Sequence, residues 1–349
     1  MDAQLRVTDT IHLYGHEIGE GSFVQVTRGV RRALEHHGLL GGFTPETLAA
    51  EDEEPGRSRV ALHVGWCWNS RRYHERRWAL VAPNSNGIPA RVVEHLRGRG
   101  VCGIAAPSRW ALETLRETFG KEIMVLAPHG ITPGIHGPVD DSGALQAVYP
   151  DEFRVLHVTS TDFSRKGTRE LVTGWTMALG AGHLPSRSSL VIVGTDAVVY
   201  DPFIRKAERV GVRAVRPVGL PPADWASRLR GFHAVCQPSR AEGFGLVPLE
   251  ALACGVPVVA TVVTGHSEYM SATTPGVVVV PAGPDSRSDD FPGATAPTVS
   301  ADGIATALAE AYRQWPRISA AARSASPAIV ERWAWERVMQ VALEEMSKA

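Results

Sequence analysis

Only four cysteines occur in the 349 residues, Cys67, Cys102, Cys236 and Cys254, and no two of them form a C-x-x-C pair. A disulfide framework and a zinc knuckle both need paired spacing, so neither is expected, and a reducing cytoplasm suits this usage. An excess of charge is missing too. With 36 Lys and Arg against 37 Asp and Glu the net charge is -1, which exerts no global pull toward nucleic acid or an anionic membrane. Long apolar runs are lacking as well. The longest, at 256–263 and 276–282, are strand-length and broken by Pro or Gly, far below the roughly 18 residues of a membrane span. The first six residues have no basic start followed by an apolar run, so no secretory leader and no integral membrane association are expected.

What is present is an α/β pattern. Short β-branched runs alternate with longer helical patterns from end to end, as parallel sheets require. In the first half the strands are expected over 61–64, 78–82, 101–105 and 123–127, and helices over 23–37, 89–97 and 108–119. Ser108 is a good N-cap, and Gly120 stands where that helix should stop. Residues 128–138 are dense in Pro and Gly and mark a domain boundary. The second half restarts with a strand over 153–158, a helix over 168–179, strands over 190–194, 214–219, 234–236, 257–261 and 276–280, and a helix over 304–314. Residues 51–56 read as a charged loop, and 282–299, rich in Pro, Gly, Ser and Asp, as an unstructured insertion.

The segment Glu242-Gly243-Phe244-Gly245-Leu246-Val247-Pro248-Leu249-Glu250 carries the chemistry. It follows a buried strand and runs into a helix, which is the ligand-binding edge of a doubly wound sheet. Gly243 and Gly245 let backbone approach a ligand, and the helix start aims N–H groups at an anion, with phosphate the natural guest. Two carboxylates beside phosphate serve better as acceptors from neutral hydroxyls, such as those of a sugar or ribose.

This passage resembles the signature of the family 4 retaining glycosyltransferases, which have the two-domain GT-B fold. Pro238-Ser239, Glu242-Gly243-Phe244-Gly245, Glu250-Ala251, Ala253, Gly255, Pro257-Val258 and Gly265 with Glu268 all match, while Thr264 replaces the first glycine of the family's G-G-x-x-E. The resemblance implies that Glu242 contacts the transferred sugar and that Glu250 accepts from ribose hydroxyls. Lys166-Gly167 corresponds to the family's diphosphate-binding Lys-Gly. The family's Arg, about five residues earlier, falls near Thr161 here, and Arg165 is placed to supply that charge. Phe244, Leu246, Gly194 and Gly219 are further candidates for the nucleotide-sugar site. Pro128-His129-Gly130-Ile131 resembles the family's P-N-G-[VI] strand end, and 333–338 the terminal helix that crosses back to the first domain.

In the first domain, Gly19 and Gly21 ahead of a helix take the place of the family's glycine-rich loop, and His63 that of a histidine touching the sugar near the reacting centre. Trp66 and Trp68 fall on opposite faces if extended, so at most one lines the cleft. The cluster Arg71, Arg72, Arg76 and Arg77 reads first as a solvated helix face balanced by Glu75, with a phosphorylated acceptor, a lipid-phosphate head group or nucleic acid as the other meanings. The histidines have no ligand spacing with Asp, Glu or Cys, so no metal site is expected.

The expectation is therefore GT-B: two Rossmann-like doubly wound parallel-sheet domains facing across a cleft, over 1–140 and 150–325, with 326–349 returning to the first. The expected activity is metal-independent, retaining transfer from a nucleotide-diphosphate sugar, with no other cofactor. The acceptor class stays open among natural product, glycan, protein and nucleic acid. A GT-B-like epimerase or phosphorylase, or a non-catalytic sugar-nucleotide-binding protein, are the rival readings.

Overall fold

Strands joined by helix-length connections cannot pair as hairpins, because a short turn would reverse the chain; they pair in parallel, with the helices covering both faces. The computed structural model, which describes residues 10–16, 22–45, 60–65, 76–83, 93–94, 96–97, 101–120, 123–138, 151–159, 163–216, 220–287 and 295–348, contains two such sheets. The chain divides into two units, one of residues 1–132 with 332–349 and the other of 133–331.

The first unit holds β1 (Ile11–Gly15), β2 (Leu40–Pro45), β3 (Val60–Val64), β4 (Arg76–Leu80), β5 (Gly103–Ala106) and β6 (Ile123–Leu126) in the order β2-β1-β3-β4-β5-β6, every pair parallel. Helix α1 (Ser22–His36) connects β1 to β2, and α2 (Arg109–Phe119) connects β5 to β6. The Ser108 hydroxyl accepts from the Ala111 N–H, and Gly120 closes α2 at a positive φ of 80° with its N–H donated to the Arg116 carbonyl. Two strands were not expected. In β1, His12 and Tyr14 interrupt the apolar run, yet all five residues are buried, and the His12 ring bonds the Thr44 hydroxyl at 2.9 Å. In β2, Gly41, Gly42 and Pro45 resemble a loop. Gly42 is needed there because a Cβ would lie 2.7 Å from the His12 ring. Arg77 is also a correction: it lies buried in β4, and Arg76 opens the same strand, so neither belongs to a solvated helix face.

The second unit holds β7 (Arg154–Val158), β8 (Ser189–Val193), β9 (Val212–Val215), β10 (Ala234–Gln237), β11 (Val258–Ala260) and β12 (Val277–Val279), in the order β12-β11-β10-β7-β8-β9. The strand order reverses between β7 and β10, which makes their carboxyl ends the topological switch point of a doubly wound sheet. Alternate residues of β7 face opposite ways: Val155 packs with Trp175, Ile192 and Leu308 on one side, Leu156 with Leu229, Leu252 and Val256 on the other. Helices α3 (Thr168–Gly180), α4 (Pro222–Arg230), α5 (Leu246–Ala253), α6 (Ala301–Arg313) and α7 (Trp315–Arg332) supply those layers. Of the expected insertion at 282–299, the described residues 282–287 and 295–299 are not unstructured: they form an antiparallel pair, β13 (Ala282–Arg287) and β14 (Thr295–Val299), and Pro284 costs nothing on an edge strand that needs no N–H there.

Helix α8 (Trp335–Lys348) belongs to the first unit, where Trp335 lies against α1 so closely that a Cβ on Gly29 would stand 2.0 Å from its ring. Gly29→Ala should therefore destabilise this unit by roughly 1–3 kcal/mol through overpacking, a fall of roughly 4–10 °C in its melting transition. Gly180→Ala, at an exposed helix end with nothing within 4 Å, should leave the melt unchanged or raise it. Circular dichroism melts of the two variants check this; equal midpoints would refute the close packing of Trp335.

Candidate functional site

Three loops leave the carboxyl ends of adjacent strands β7, β10 and β11, and they meet on one carboxylate. Glu242, 6% exposed, follows β10. Its Oε1 accepts from Lys166 Nζ and from the Ser239 hydroxyl at 2.9 Å, and its Oε2 is 3.2 Å from the Arg165 guanidinium. Both cations come from the loop after β7, and both are largely buried. Arg165 also donates to the Ala241 carbonyl at 2.9 Å, while the Arg240 N–H donates to the Arg165 carbonyl at 2.7 Å. Gly167 permits this approach: at a φ of 63° it caps α3, and a Cβ there would lie 2.4 Å from the Pro238 carbonyl oxygen.

The third loop, after β11, grips the same segment through backbone. Thr264 Oγ1 accepts from the Glu242 N–H at 2.9 Å, and the Gly265 N–H donates to the Glu242 carbonyl at 2.8 Å. The Tyr269 hydroxyl donates to the Gly245 carbonyl, and the His266 ring lies against Gly245, where a Cβ would be 2.4 Å from it. His266 Nδ1 carries the proton, since it bonds the Thr261 carbonyl at 2.9 Å, which can only accept. Burial lowers the pKa of His266 and so keeps the ring neutral.

Burial by itself pushes the Glu242 carboxyl upward, but the charges of Lys166 and Arg165, aided by the Lys166 hydrogen bond, hold it well below the usual carboxylate range. It is ionised. Two cations thus face one carboxylate. Beneath it, His157 is fully buried between the Cys236 carbonyl at 2.8 Å and the Thr168 hydroxyl at 3.0 Å, and burial pushes its pKa down to about 4. The cation loop thus rests on a neutral, hydrogen-bonded floor.

Helix α5 begins at Gly245, with a φ of 83° and no side-chain cap, so the first-turn amides and the positive end of its dipole are available to an anion. One turn on, Glu250 is 9% exposed. Its Oε2 accepts from the Trp225 indole N–H at 2.8 Å, and its Oε1 lies 4.0 Å from His136 Nε2. Arg240 points away from Glu242 and donates to the Ser164 and Ser286 hydroxyls and to the Pro297 and Arg287 carbonyls, tying β13 and β14 to the cation loop.

Comparison with known proteins fits this geometry. A profile described as "Family 4 Glycosyltransferase in conflict systems" matches residues 108–341, about two thirds of the chain and the whole of the site. The chain belongs to that family. It is 30% identical over 259 residues to a D-inositol 3-phosphate glycosyltransferase of Xylanimonas cellulosilytica, a match covering 70% of this chain and 57% of that protein. In others of the same description the matched share of the relative is smaller. Among solved structures, the sucrose-phosphate synthase of Thermosynechococcus elongatus superposes with a TM-score of 0.70 at 17% identity, covering 98% of this chain and all of that one. HepE of Anabaena, solved in complex with UDP and glucose, gives 0.65 at 13% identity with the same coverage. These likenesses are in fold, and the fold is GT-B.

For this family 4 chain, the structure brings Glu242, Lys166, Arg165, Gly243, Phe244, Gly245 and Leu246 together, with Glu250 on the following helix. Gly194 follows β8, where a Cβ would meet Val198 at 2.5 Å, so its bareness serves the turn into the next helix. His63 is fully buried in β3 of the first unit, stacked on Tyr14 at 4.4 Å. Gly19, Gly21, Gly219, Thr161, Trp66, Trp68, Arg71 and Arg72 lie outside the described residues. Sequence reasoning missed Trp225, Arg240 and His266 as contributors. Only Ser239, inside the quoted Pro-Ser, carried a signal. Among the described residues no three His, Cys, Asp or Glu side chains gather as a metal site would need, and no helix is long and apolar enough to cross a membrane.

The depressed Glu242 pKa fixes the sign of a pH effect. Its contribution to stability is complete above the unfolded value near 4.5 and is lost as pH falls below it. Glu242→Gln, which removes the carboxylate charge that two buried cations face, should cost about 3 kcal/mol at neutral pH. That gap should narrow between pH 5 and pH 3. Urea unfolding of the two proteins across this range checks it; a gap independent of pH would assign the loss to packing instead of charge.

Proposed function

We propose that this protein is a metal-independent, retaining glycosyltransferase that takes its sugar from a nucleotide-diphosphate donor bound at the switch point of the second unit. The observation that carries the reading is the pair of cations, Lys166 and Arg165, held beside Glu242 on loops flanking the start of α5, which has no side-chain cap. A diphosphate departing from a sugar carries growing negative charge, and pre-placed cations and helix amides stabilise it without reorganising. The C1–O bond to the diphosphate breaks as the acceptor oxygen bonds C1 from the same face, and the acceptor's proton passes to the departing phosphate oxygen. Glu242 accepts from sugar hydroxyls and sets the reacting carbon against the cations. Glu250, with Oε2 held by Trp225, offers Oε1 to the ribose hydroxyls.

UDP is the first donor base to try, because the structural neighbour HepE was solved with UDP and glucose. The acceptor is a hydroxyl compound outside what these residues specify, and a cytoplasmic setting fits the cysteine usage.

A thermal-shift screen against UDP-, GDP-, dTDP- and ADP-sugars should single out one nucleotide, with a stabilisation set by ligand concentration over Kd. Nucleotide diphosphate should then be released when acceptor is added, at a rate unaltered by EDTA, into a product of unchanged anomeric configuration. Lys166→Ala should weaken diphosphate binding by about ten-fold or more, whereas Glu242→Gln should lower kcat by about a hundred-fold with little change in donor Kd. Stabilisation by a nucleotide sugar with no transfer to any acceptor would favour a non-catalytic binding protein. Inversion at the anomeric carbon would sink the proposed geometry.

Trp225→Phe tests the nucleotide end of the site separately. It removes the hydrogen bond that orients Glu250 and should raise the donor KM about five-fold while kcat holds. An unchanged KM would remove Glu250 from ribose recognition.

A further inference from the structure

We infer that Thr264 is a positioning residue: it holds the Glu242 backbone in the register that aims the carboxylate, and it does so from a strained conformation. The inference rests on the donor-site reading above. Thr264 is the one residue other than glycine with a positive φ among the described residues, at 51°. A β-branched side chain is disfavoured there by contact between its Cβ substituents and its own backbone. Such a conformation persists only where the surroundings over-determine it, and here they do.

The Thr264 hydroxyl accepts the Glu242 N–H at 2.9 Å, and the next residue, Gly265, returns its own N–H to the Glu242 carbonyl at 2.8 Å. The two loops are so close that a Cβ on Gly265 would lie 2.5 Å from the Gly243 carbonyl. The turn Thr264–Glu268 is fixed from behind as well, by the Ser267 hydroxyl on the Thr264 carbonyl at 2.6 Å and by His266 on Thr261. A glycine at 264 would adopt this φ without strain. It would also leave the Glu242 N–H without its acceptor, inside a segment whose side chain is buried. The hydroxyl is what a glycine cannot supply, and its cost in strain is met by fixing Glu242 at both its N–H and its C=O.

This predicts effects of opposite sign on stability and on turnover. Thr264→Gly should melt within 1 °C of the wild type or above it. UDP release from UDP-glucose should nevertheless fall about ten-fold, with the Kd for UDP unchanged by calorimetry, and exchange of the Glu242 amide with solvent should accelerate at least ten-fold. Thr264→Ser, which keeps the hydroxyl, should restore both turnover and amide protection. Wild-type turnover and protection in Thr264→Gly would overturn the assignment. So would a melting point lowered by several degrees in parallel with activity and unrescued by Thr264→Ser. A wild-type chain that binds and releases none of the UDP, GDP, dTDP and ADP nucleotides would sink the donor reading instead, and amide exchange would still decide the role of Thr264.

Discussion

A buried carboxylate that must stay ionised is the constraint on which the rest of the second unit depends. Two unit charges about 3 Å apart attract by roughly 5 kcal/mol at the effective dielectric of a protein, and the desolvation of all three groups offsets most of that. The Glu242 cluster is therefore not a large source of stability. Its force is conditional, because once the carboxylate is inside, Lys166, Arg165 and Ser239 must be within reach of it. That condition fixes where the loops after β7 and β10 stand, and the backbone grip of Thr264 and Gly265 adds the loop after β11. Three loops of separate sequence thereby behave as one surface, with its two cations beside the start of α5.

Loops brought this close have no room for ordinary backbone. Gly167 lies against Pro238, Gly265 against Gly243, and Gly245 against His266, each at a distance that no Cβ would tolerate. Gly167 and Gly245 also take positive φ. The glycines of the two motifs thus serve the contact between loops as much as the approach of a ligand. The motif is legible in sequence partly because it is a packing requirement: a side chain at Gly167 would push the loop of Lys166 and Arg165 away from Pro238 and so from Glu242.

The same physics explains what could and could not be read beforehand. The strands of the second sheet are short apolar runs rich in Val and Ile and largely buried, such as residues 190–193 and 257–260, and a run of that kind has few alternatives. Ser108 and Gly120 bracket α2 by local hydrogen bonding alone, so local sequence suffices. By contrast, β1 and β2 depend on one another: His12 is acceptable inside a sheet only because Thr44 bonds it and Gly42 makes way for its ring. Neither segment contains that information by itself. At the site, Glu242, Lys166 and Glu250 were legible as spacing, and Arg165 as a charge displaced from its usual position. Trp225, 25 residues before Glu250, and His266 were not, because an indole N–H or an imidazole acquires meaning only from what folding sets opposite it.

The antiparallel pair β13 and β14 shows how far such context can override composition. Residues 282–287, Ala-Gly-Pro-Asp-Ser-Arg, are among the poorest strand formers available, and by themselves they favour coil. Arg240 changes the balance. Its guanidinium is buried and must be satisfied, and the carbonyls of Arg287 and Pro297 with the Ser286 hydroxyl are the acceptors that satisfy it. Leaving such a charge unmet would cost more than the modest propensity penalty of a short edge ribbon. Because the Arg240 N–H also holds the Arg165 carbonyl, and its side chain the Ser164 hydroxyl, the ribbon is one residue removed from the loop that carries Lys166. The insertion that looked least structured in sequence is therefore fastened to the most constrained part of the protein, by a residue two positions from Glu242.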